Sequence, residues 1–307
     1  MEFYHITNPS FPVAKTDLTI VIPVKNEEAA IGHVIDELQQ EGYTNILVVD
    51  GYSTDRTAEV AKSKPGVVFI QQHGKGKTGA VKTAIEHVTT PYMLIVDGDY
   101  TYPARDIQYL LAHCSSYAQV IGVRDKTNIS RLHRFGNKII TSTFNLLFGA
   151  GISDVCSGMY LLNTQVAREL ELSSKGFITE VEIAAQTAAR HNIADVPIGY
   201  RERIGKSKLS TINGFGILTN VIKLSMKHNP IFFFSALASL AIIPGIGALS
   251  WVFYQQLTTG LWHSNWALIS ILLVLFGTQA IAVAAISALM KRSEKRITQF
   301  LTRTSSN

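Results

Sequence analysis

The run Tyr92-Met93-Leu94-Ile95-Val96-Asp97-Gly98-Asp99 joins an apolar, partly β-branched segment to two carboxylates across one glycine. It is too short for a helix that could bury itself. Tyr92–Asp97 therefore reads as a buried strand with acidic groups at its carboxyl end. Working back towards the N-terminus, Gly79–His87 is helical, Val67–Gln71 is a strand, and Asp55–Lys64 is a helix that Ser53 or Thr54 can cap. Before these come the strand Asn45–Asp50, then a helix over Asn26–Gln40 with Ala29, Ile31, Val34, Ile35 and Leu38 at helical spacing, and then the strand Leu18–Pro23. Strand and helix alternate, which predicts an α/β fold with a parallel sheet covered on both faces. Ligands of such sheets sit at the carboxyl ends of the strands. Glu27, Asp50 and Asp97 all fall there.

Two carboxylates at a strand end can hold a divalent cation that bridges phosphate oxygens, and Gly98 would let a ligand approach the backbone. A plain Asp-Gly turn is the alternative. Gly74-Lys-Gly76-Lys-Thr-Gly79 matches G-x-G-x-x-G, but it follows the third strand rather than the first, which is not where a dinucleotide fingerprint lies. It is no P-loop either, because Gln71 stands where the first glycine is required.

Ser130 can cap a helix running to about Phe148. Arg131, Arg134 and Lys138 share one face, while Phe135, Ile139, Phe144 and Leu147 fall mostly on the other. The basic face could grip a phosphate or simply be solvated. Tyr200-Arg-Glu-Arg203-Ile-Gly-Lys-Ser-Lys208 could clamp a diphosphate or attract anionic lipid.

Of 307 residues, 47% are hydrophobic and 17% charged, which excludes a disordered chain. Two cysteines, Cys114 and Cys156, exclude a disulfide scaffold. The net charge of +5 is unevenly spread. Residues 1–230 hold 23 basic and 22 acidic side chains, residues 231–290 hold none, and residues 291–307 hold five basic and one acidic. The near-neutral first part argues against a nucleic-acid partner.

The uncharged block contains two apolar runs, 231–254 and 266–290, each long enough to span a bilayer core of roughly 30 Å. Lys223, Lys227 and His228 precede the first, and Lys291, Arg292, Lys295 and Arg296 follow the second. The positive-inside rule then places both flanks in the cytoplasm of a two-span membrane protein. Trp251, Tyr254, Trp262 and Trp266 crowd the outer end. The first residues show no apolar h-region, so no cleavable signal is expected. Residues 212–229 read as an amphipathic juxtamembrane segment, with Ile212, Phe215, Leu218, Ile222 and Leu224 on its apolar face. Packing on the soluble part is the alternative. The expected organisation is a cytoplasmic domain over 1–211, that segment, the two helices within 230–290, and a basic cytoplasmic tail over 291–307.

Seven motifs in order carry a resemblance: Ile22-Pro23-Val-Lys25-Asn26-Glu27-Glu28, Val49-Asp50-Gly-Tyr-Ser53-Thr54-Asp55-Arg-Thr57, Gly74-Lys75-Gly76-Lys77, Asp97-Gly98-Asp99, Gly122-Val-Arg124, Asp154-Val-Cys-Ser157-Gly158 and Arg203-Ile-Gly-Lys-Ser207-Lys208-Leu209. The pattern resembles family 2 glycosyltransferases of the GT-A fold, and among them the polyprenyl-phosphate (dolichyl-phosphate) hexose synthases, including archaeal enzymes of surface N-glycosylation.

The resemblance implies a mostly parallel sheet with helices on both faces, followed by the transmembrane hairpin. It implies inverting transfer of a hexose or N-acetylhexosamine from a UDP- or GDP-sugar to polyprenyl phosphate, with Mg2+ or Mn2+. By position, Pro23, Lys25, Glu27 and Asp50 would contact the nucleoside, and Asp97 and Gly98 the ribose or sugar side. Asp99, with Asp97, would bind the metal, and Thr101 stands where related synthases place a glutamine ligand. Arg203 and Lys208 would hold the diphosphate. Arg124, with Arg131 or Arg134, would hold the acceptor phosphate, beside Ser157 and Gly158. Glu180 and Glu182 sit near where relatives place an acceptor-side carboxylate, or they form a capped, solvated helix start.

A processive polysaccharide synthase would carry a Q/R-x-x-R-W motif and more spans, and neither is visible. A non-catalytic nucleotide-sugar-binding membrane scaffold would tolerate loss of Asp97 and Asp99, which are intact. The oligomeric state is open.

Overall fold

The computed structural model describes residues 13–173, 178–205, 219, 221–226 and 229–304. The chain divides into two compact units, Met1–Ile222 and Lys223–Asn307.

The first unit is built on seven strands: β1 (Leu18–Val24), β2 (Ile46–Asp50), β3 (Val67–Gln71), β4 (Tyr92–Ile95), β5 (Gln119–Arg124), β6 (Tyr160–Asn163) and β7 (Ile193–Ile198). Their order in the sheet is β3-β2-β1-β4-β6-β5-β7. β1 to β4 are mutually parallel, β6 runs antiparallel to both β4 and β5, and β5 pairs parallel with β7. The sheet is mixed, with β6 its one antiparallel strand. After β1 the chain builds β2 and β3 to one side and returns to place β4 on the other. The carboxyl ends of β1 and β4 therefore meet at a topological switch point, where α/β sheets open a crevice.

The helices of this unit are α1 (Ile31–Gln40), α2 (Thr57–Lys62), α3 (Gly76–His87), α4 (Ile107–Leu111), α5 (Arg131–Phe148), α6 (Thr164–Arg168) and α7 (Thr179–Arg190). α1 buries Ile31, Val34, Ile35 and Leu38 against Ile20, Ile22, Val48 and Leu94 of the sheet. It begins five residues later than the periodicity predicts. Asn26 is left-handed at φ 52°, and Glu27 O closes a turn by accepting from the Ala30 and Ile31 amides. That turn exposes Ala29 and buries Ala30 instead.

The sequence around Ser53 also works differently from expectation. Neither Ser53 nor Thr54 caps α2. The Ser53 hydroxyl accepts from Asn26 N, Thr54 N donates to Asn26 Oδ1, and Glu27 N donates to Thr57 Oγ1. Arg56 N donates to Glu28 Oε2 while Glu28 N donates to Asp55 Oδ2. Two loops at neighbouring strand ends thus satisfy each other's backbone donors.

The second unit consists of α8 (Pro230–Thr259) and α9 (Ser264–Thr304). Its Pro230–Thr259 and Ser264–Met290 stretches are long and apolar enough to cross a membrane. The residues buried in this unit are mostly small, among them Ala238, Ala241, Gly245, Ala280 and Ala284, whereas Leu240, Ile243, Leu272 and Phe276 are exposed. A soluble core helix would reverse that arrangement, and small contacts with large apolar exteriors suit helices in lipid. α9 continues unbroken past Met290, so the basic tail is helical to Thr304. Of the expected juxtamembrane segment, Ile212, Phe215 and Leu218 lie outside the described residues, Leu224 is buried and Ile222 is exposed.

Candidate active site

The carboxyl ends of β1 and β4 bring together Glu27, Asp97 and Asp99, and the segment after β7 lays Arg203 across them. Arg203 Nη1 donates to Asp99 Oδ2 at 2.7 Å, and Nη2 pairs with Glu27 Oε1. Its Nε is buried and has no hydrogen-bond partner among the described residues. The segment is pinned over β4's loop by Arg201 N to Thr101 O (2.8 Å) and Ile204 N to Asp99 O (3.2 Å). A bidentate pair from Arg201 to Glu37, at 2.7 and 2.8 Å, fastens it to α1. Burial opposes ionisation of Glu37, but the Arg201 hydrogen bonds and charge bring its carboxyl below the usual value.

Asp99 is almost fully buried. Thr101 Oγ1 donates to its Oδ1 at 2.6 Å and Thr101 N at 3.2 Å. Thr101 thus orients Asp99 through its hydroxyl and its amide. Burial, and then the neighbouring Asp97 charge, raise the Asp99 pKa, while the Thr101 bonds and Arg203 work against that rise.

Asp97 is held by Lys77, whose Nζ lies 2.5 Å from Oδ1, and the same ammonium pairs with Glu180 of α7. Burial alone would neutralise Lys77, yet these two carboxylates hold it well above the usual lysine value. The sequence motif around Gly76 gives Lys77 no role by itself. A signal was present: a lysine in the first turn of a helix opposes the helix dipole and calls for a carboxylate partner. Glu180 and Glu182 do not form a solvated helix start. Glu182 is fully buried and accepts from Ser173 N and Oγ.

Two glycines matter for packing. A Cβ at Gly158 would lie 1.9 Å from Asp97 Oδ2, so only glycine lets that loop cross the carboxylate. A Cβ at Gly98 would meet Val24 Cγ1 at 2.6 Å. Gly98 thus allows close contact of β4's end with β1.

Asp50 lies at the end of β2 but is spent on its own turn. Ser53 N approaches both its oxygens, and Ser53 Oγ donates to Oδ1 at 2.5 Å. Beside it Tyr52 is left-handed (φ 59°), as is Tyr100 (φ 68°) after β4. With Asn26, the three non-glycine residues of positive φ among the described residues stand at the ends of β1, β2 and β4. Backbone strain of this kind gathers at functional sites. Pro23 lies within β1 and Lys25 is exposed just beyond it.

On the other side, Arg124 at the end of β5 gives Nε and Nη2 to Asp154 at 2.7 and 2.9 Å and stacks over Tyr200 at 5.5 Å. Tyr102 packs edge-on against Tyr200 and accepts from Gly158 N at 2.6 Å. Ser157 is buried in the same loop. Burial, with Asp154 adding to it, pushes the Cys156 thiol up to about 12, so it is no thiolate nucleophile at neutral pH. Arg131 and Arg134 stand exposed on the first turn of α5, where Arg134 Nε donates to Ile129 O. Lys208 lies outside the described residues.

Among the described residues no three His, Cys, Asp or Glu side chains gather into a closed metal cage. Asp97 and Asp99 supply hard oxygen donors of the kind a cation uses when substrate phosphates and water complete its shell.

Residues 19–171 match the sequence profile of Glycosyl transferase family 2. The chain is 33% identical over 281 residues to Glycosyltransferase AglJ of Haloferax volcanii, covering 88% of this chain and 92% of that protein. It is 31% identical over 220 residues to Dolichyl-phosphate hexose transferase of the same organism, covering 69% of this chain and 95% of that protein. In fold it is similar to glucosyl-3-phosphoglycerate synthase from Mycobacterium tuberculosis, solved with Mn2+, UDP-glucose and phosphoglyceric acid. That match has a TM-score of 0.57 at 19% identity and covers 69% of this chain and 79% of the other. The fold is GT-A, and the chain belongs to glycosyltransferase family 2 and is a glycosyltransferase.

Proposed function

We propose that the protein transfers a hexose or N-acetylhexosamine, with inversion, from a UDP- or GDP-sugar to a polyprenyl (dolichyl) phosphate at the cytoplasmic face of the cell membrane. The observation that carries this is Arg203, which bridges Glu27 and Asp99 with its Nε unmet among the described residues, in a chain that also has two helices apolar enough to span a bilayer. The similarity to a dolichyl-phosphate hexose transferase, over 69% of this chain and 95% of that protein, supports the acceptor class.

Asp99 and Asp97 would hold Mg2+ or Mn2+, which when bound neutralises a diphosphate leaving group. Arg203, paired with Glu27 and Asp99, would move between these carboxylates and diphosphate oxygens, with Lys208 assigned beside it from sequence alone. Glu27, with Pro23 and Lys25, would line the nucleoside side, and Asp50 would shape that wall through Ser53. Lys77 fixes Asp97 from below, and Gly98 lets β4's end close against β1. The acceptor phosphate has a second pKa of about 6, so it is largely ionised at neutral pH and already a nucleophile. No strong general base is required. Arg131 and Arg134 would receive that phosphate, and Arg124, already tied to Asp154, would hold the Ser157–Gly158 loop in place. The basic flanks around Lys223 and Lys291 would keep both termini in the cytoplasm.

The test is to incubate purified protein with a panel of labelled sugar nucleotides, dolichyl phosphate and Mg2+ or Mn2+, and to weigh the lipid product. A metal-dependent glycolipid with one donor is expected. No product with any common donor overturns the reading, as does full activity in Asp99→Ala.

A further inference from the structure

Two tyrosines hold a left-handed backbone at strand ends, Tyr52 after β2 (φ 59°) and Tyr100 after β4 (φ 68°). For a bulky residue this conformation is an outlier, whereas glycine adopts it without strain. The two rings are used differently. Tyr100 is half-buried, and its ring packs against His33, with centroids 5.8 Å apart, and against the Arg201 guanidinium at 4.8 Å. Those contacts within the fold offset its strain. Tyr52 is 55% exposed, and among the described residues no aromatic ring or cation stacks on it. Its hydroxyl nevertheless donates to Gln72 O at 3.1 Å. Gln72 N in turn donates to Asp50 O at 3.0 Å, which ties that anchor back to β2. The ring is thus pinned at both ends, from the end of β2 to the end of β3, while much of its surface stays open. A rigid, exposed aromatic offers contact area at little cost in conformational entropy.

The strand order β3-β2-β1-β4 decides what can reach this ring. Asp97, Asp99 and Arg203 gather at the β4 end of that series, where the diphosphate charge belongs. Beyond β4 the Gly158 loop crosses the Asp97 carboxylate and closes that direction. The nucleoside of a bound nucleotide therefore extends over β1 towards β2, across strands about 4.8 Å apart. Beside Tyr52, Gly51 leaves backbone without a side chain, and a Cβ there would come 3.2 Å from both Val24 O and Gln72 Oε1. Asp50, the carboxylate at this wall, is already held by Ser53 N and Oγ. What the wall offers a base is a flat ring. We propose that Tyr52 is the stacking platform for the nucleobase of the sugar nucleotide. This rests on reading the protein as a nucleotide-sugar-dependent transferase, and it assigns a binding residue that the motif around Asp50 does not. Stacking needs only a π-face, so the platform serves uracil and guanine alike.

The experiment compares Tyr52→Asn and Tyr52→Phe with the parent, all as the full chain. Asparagine tolerates the left-handed backbone and so keeps the turn, but it cannot stack. Phenylalanine keeps the ring and loses only the bond to Gln72. Calorimetry with Mn2+ measures the affinity for UDP and for GDP, and steady-state transfer measures KM and kcat for the donor that the parent uses. Tyr52→Asn should weaken nucleotide binding and raise the donor KM by about 5- to 150-fold, the range lost with one base–aromatic stack, at unchanged kcat. Tyr52→Phe should keep most of the affinity. Parental affinity in Tyr52→Asn overturns the proposal. A fall in kcat that matches the rise in KM also overturns it, because the residue then only props the site. So does a loss in Tyr52→Phe equal to that in Tyr52→Asn, which makes the hydroxyl the active part. A parent that binds neither nucleotide overturns the nucleotide-sugar reading itself, and the proposal with it.

Discussion

Arg203 and Asp99 form an ion pair at 2.7 Å across the crevice where β1 and β4 part. The guanidinium thus occupies, beside Asp99, a position suited to a cation, and any anionic ligand entering must compete with Asp99 and Glu27 for it. Arg203→Lys keeps the charge but loses the planar fork that reaches both carboxylates. It is expected to lower kcat/KM by about 10²-fold, the scale seen when one donor to developing charge is lost. The thermal midpoint should stay near that of the parent, because Arg201 and Glu37 still hold the segment. Steady-state transfer alongside a melting curve checks both halves.

Lys77 lies between Asp97 and Glu180, and Lys77→Met would leave two partly buried carboxylates without their cation. Breaking such a pair from one side costs about 3–5 kcal/mol. Adding Glu180→Gln removes one of the stranded charges, so the double variant should be more stable than Lys77→Met alone. Strict additivity in a double-mutant cycle of denaturant unfolding would contradict this account.

Gly98→Ala should destabilise by about 1–3 kcal/mol, since the new methyl collides with Val24. Val24→Ala removes the colliding group, and in the Gly98→Ala background it should recover part of the loss, whereas alone it creates a cavity and costs stability. Unfolding midpoints of the four proteins give the coupling.

Glu37 sets an acid limit. Its folded pKa lies below the usual glutamate value, so its pairing with Arg201 contributes stability above the unfolded value and loses it as pH falls through the folded one. The parent's melting temperature should therefore fall more steeply than that of Glu37→Gln as pH drops below about 4.5. Parallel slopes would show that the pair contributes no pH dependence.

The strands at the sheet's centre were legible in the sequence because β2, Ile46–Asp50, is buried at every position, so that its first four residues appear as an unbroken apolar run before the acidic end. The acidic strand ends and the two apolar helices were legible for the same reason, since composition alone marks them. Local pattern could not reveal cross-chain partners. Thr57 looks like a helix-start residue, yet its hydroxyl serves Glu27, thirty positions earlier. Lys77 meets Glu180 more than a hundred residues away. Arg124 looked free to bind phosphate until folding placed Asp154 against two of its donors. The half of α5 that faces outward also misled: Phe135 and Ile139 were grouped with Phe144 and Leu147, but only the latter pair is buried. A helix with two apolar sides has a pattern that does not say which of them the core takes.

The unbroken course of α9 has a consequence for orientation in the membrane. A helix rises about 1.5 Å per residue, so Lys291 to Arg296 all lie within about 9 Å of Met290, whereas Arg303 lies about 20 Å along the same rod. Surface potential decays over a Debye length of about 8 Å at physiological salt. On the proposed membrane reading, such a rod would concentrate the topological signal in the two turns after Met290 and carry its last turns beyond the reach of the surface potential.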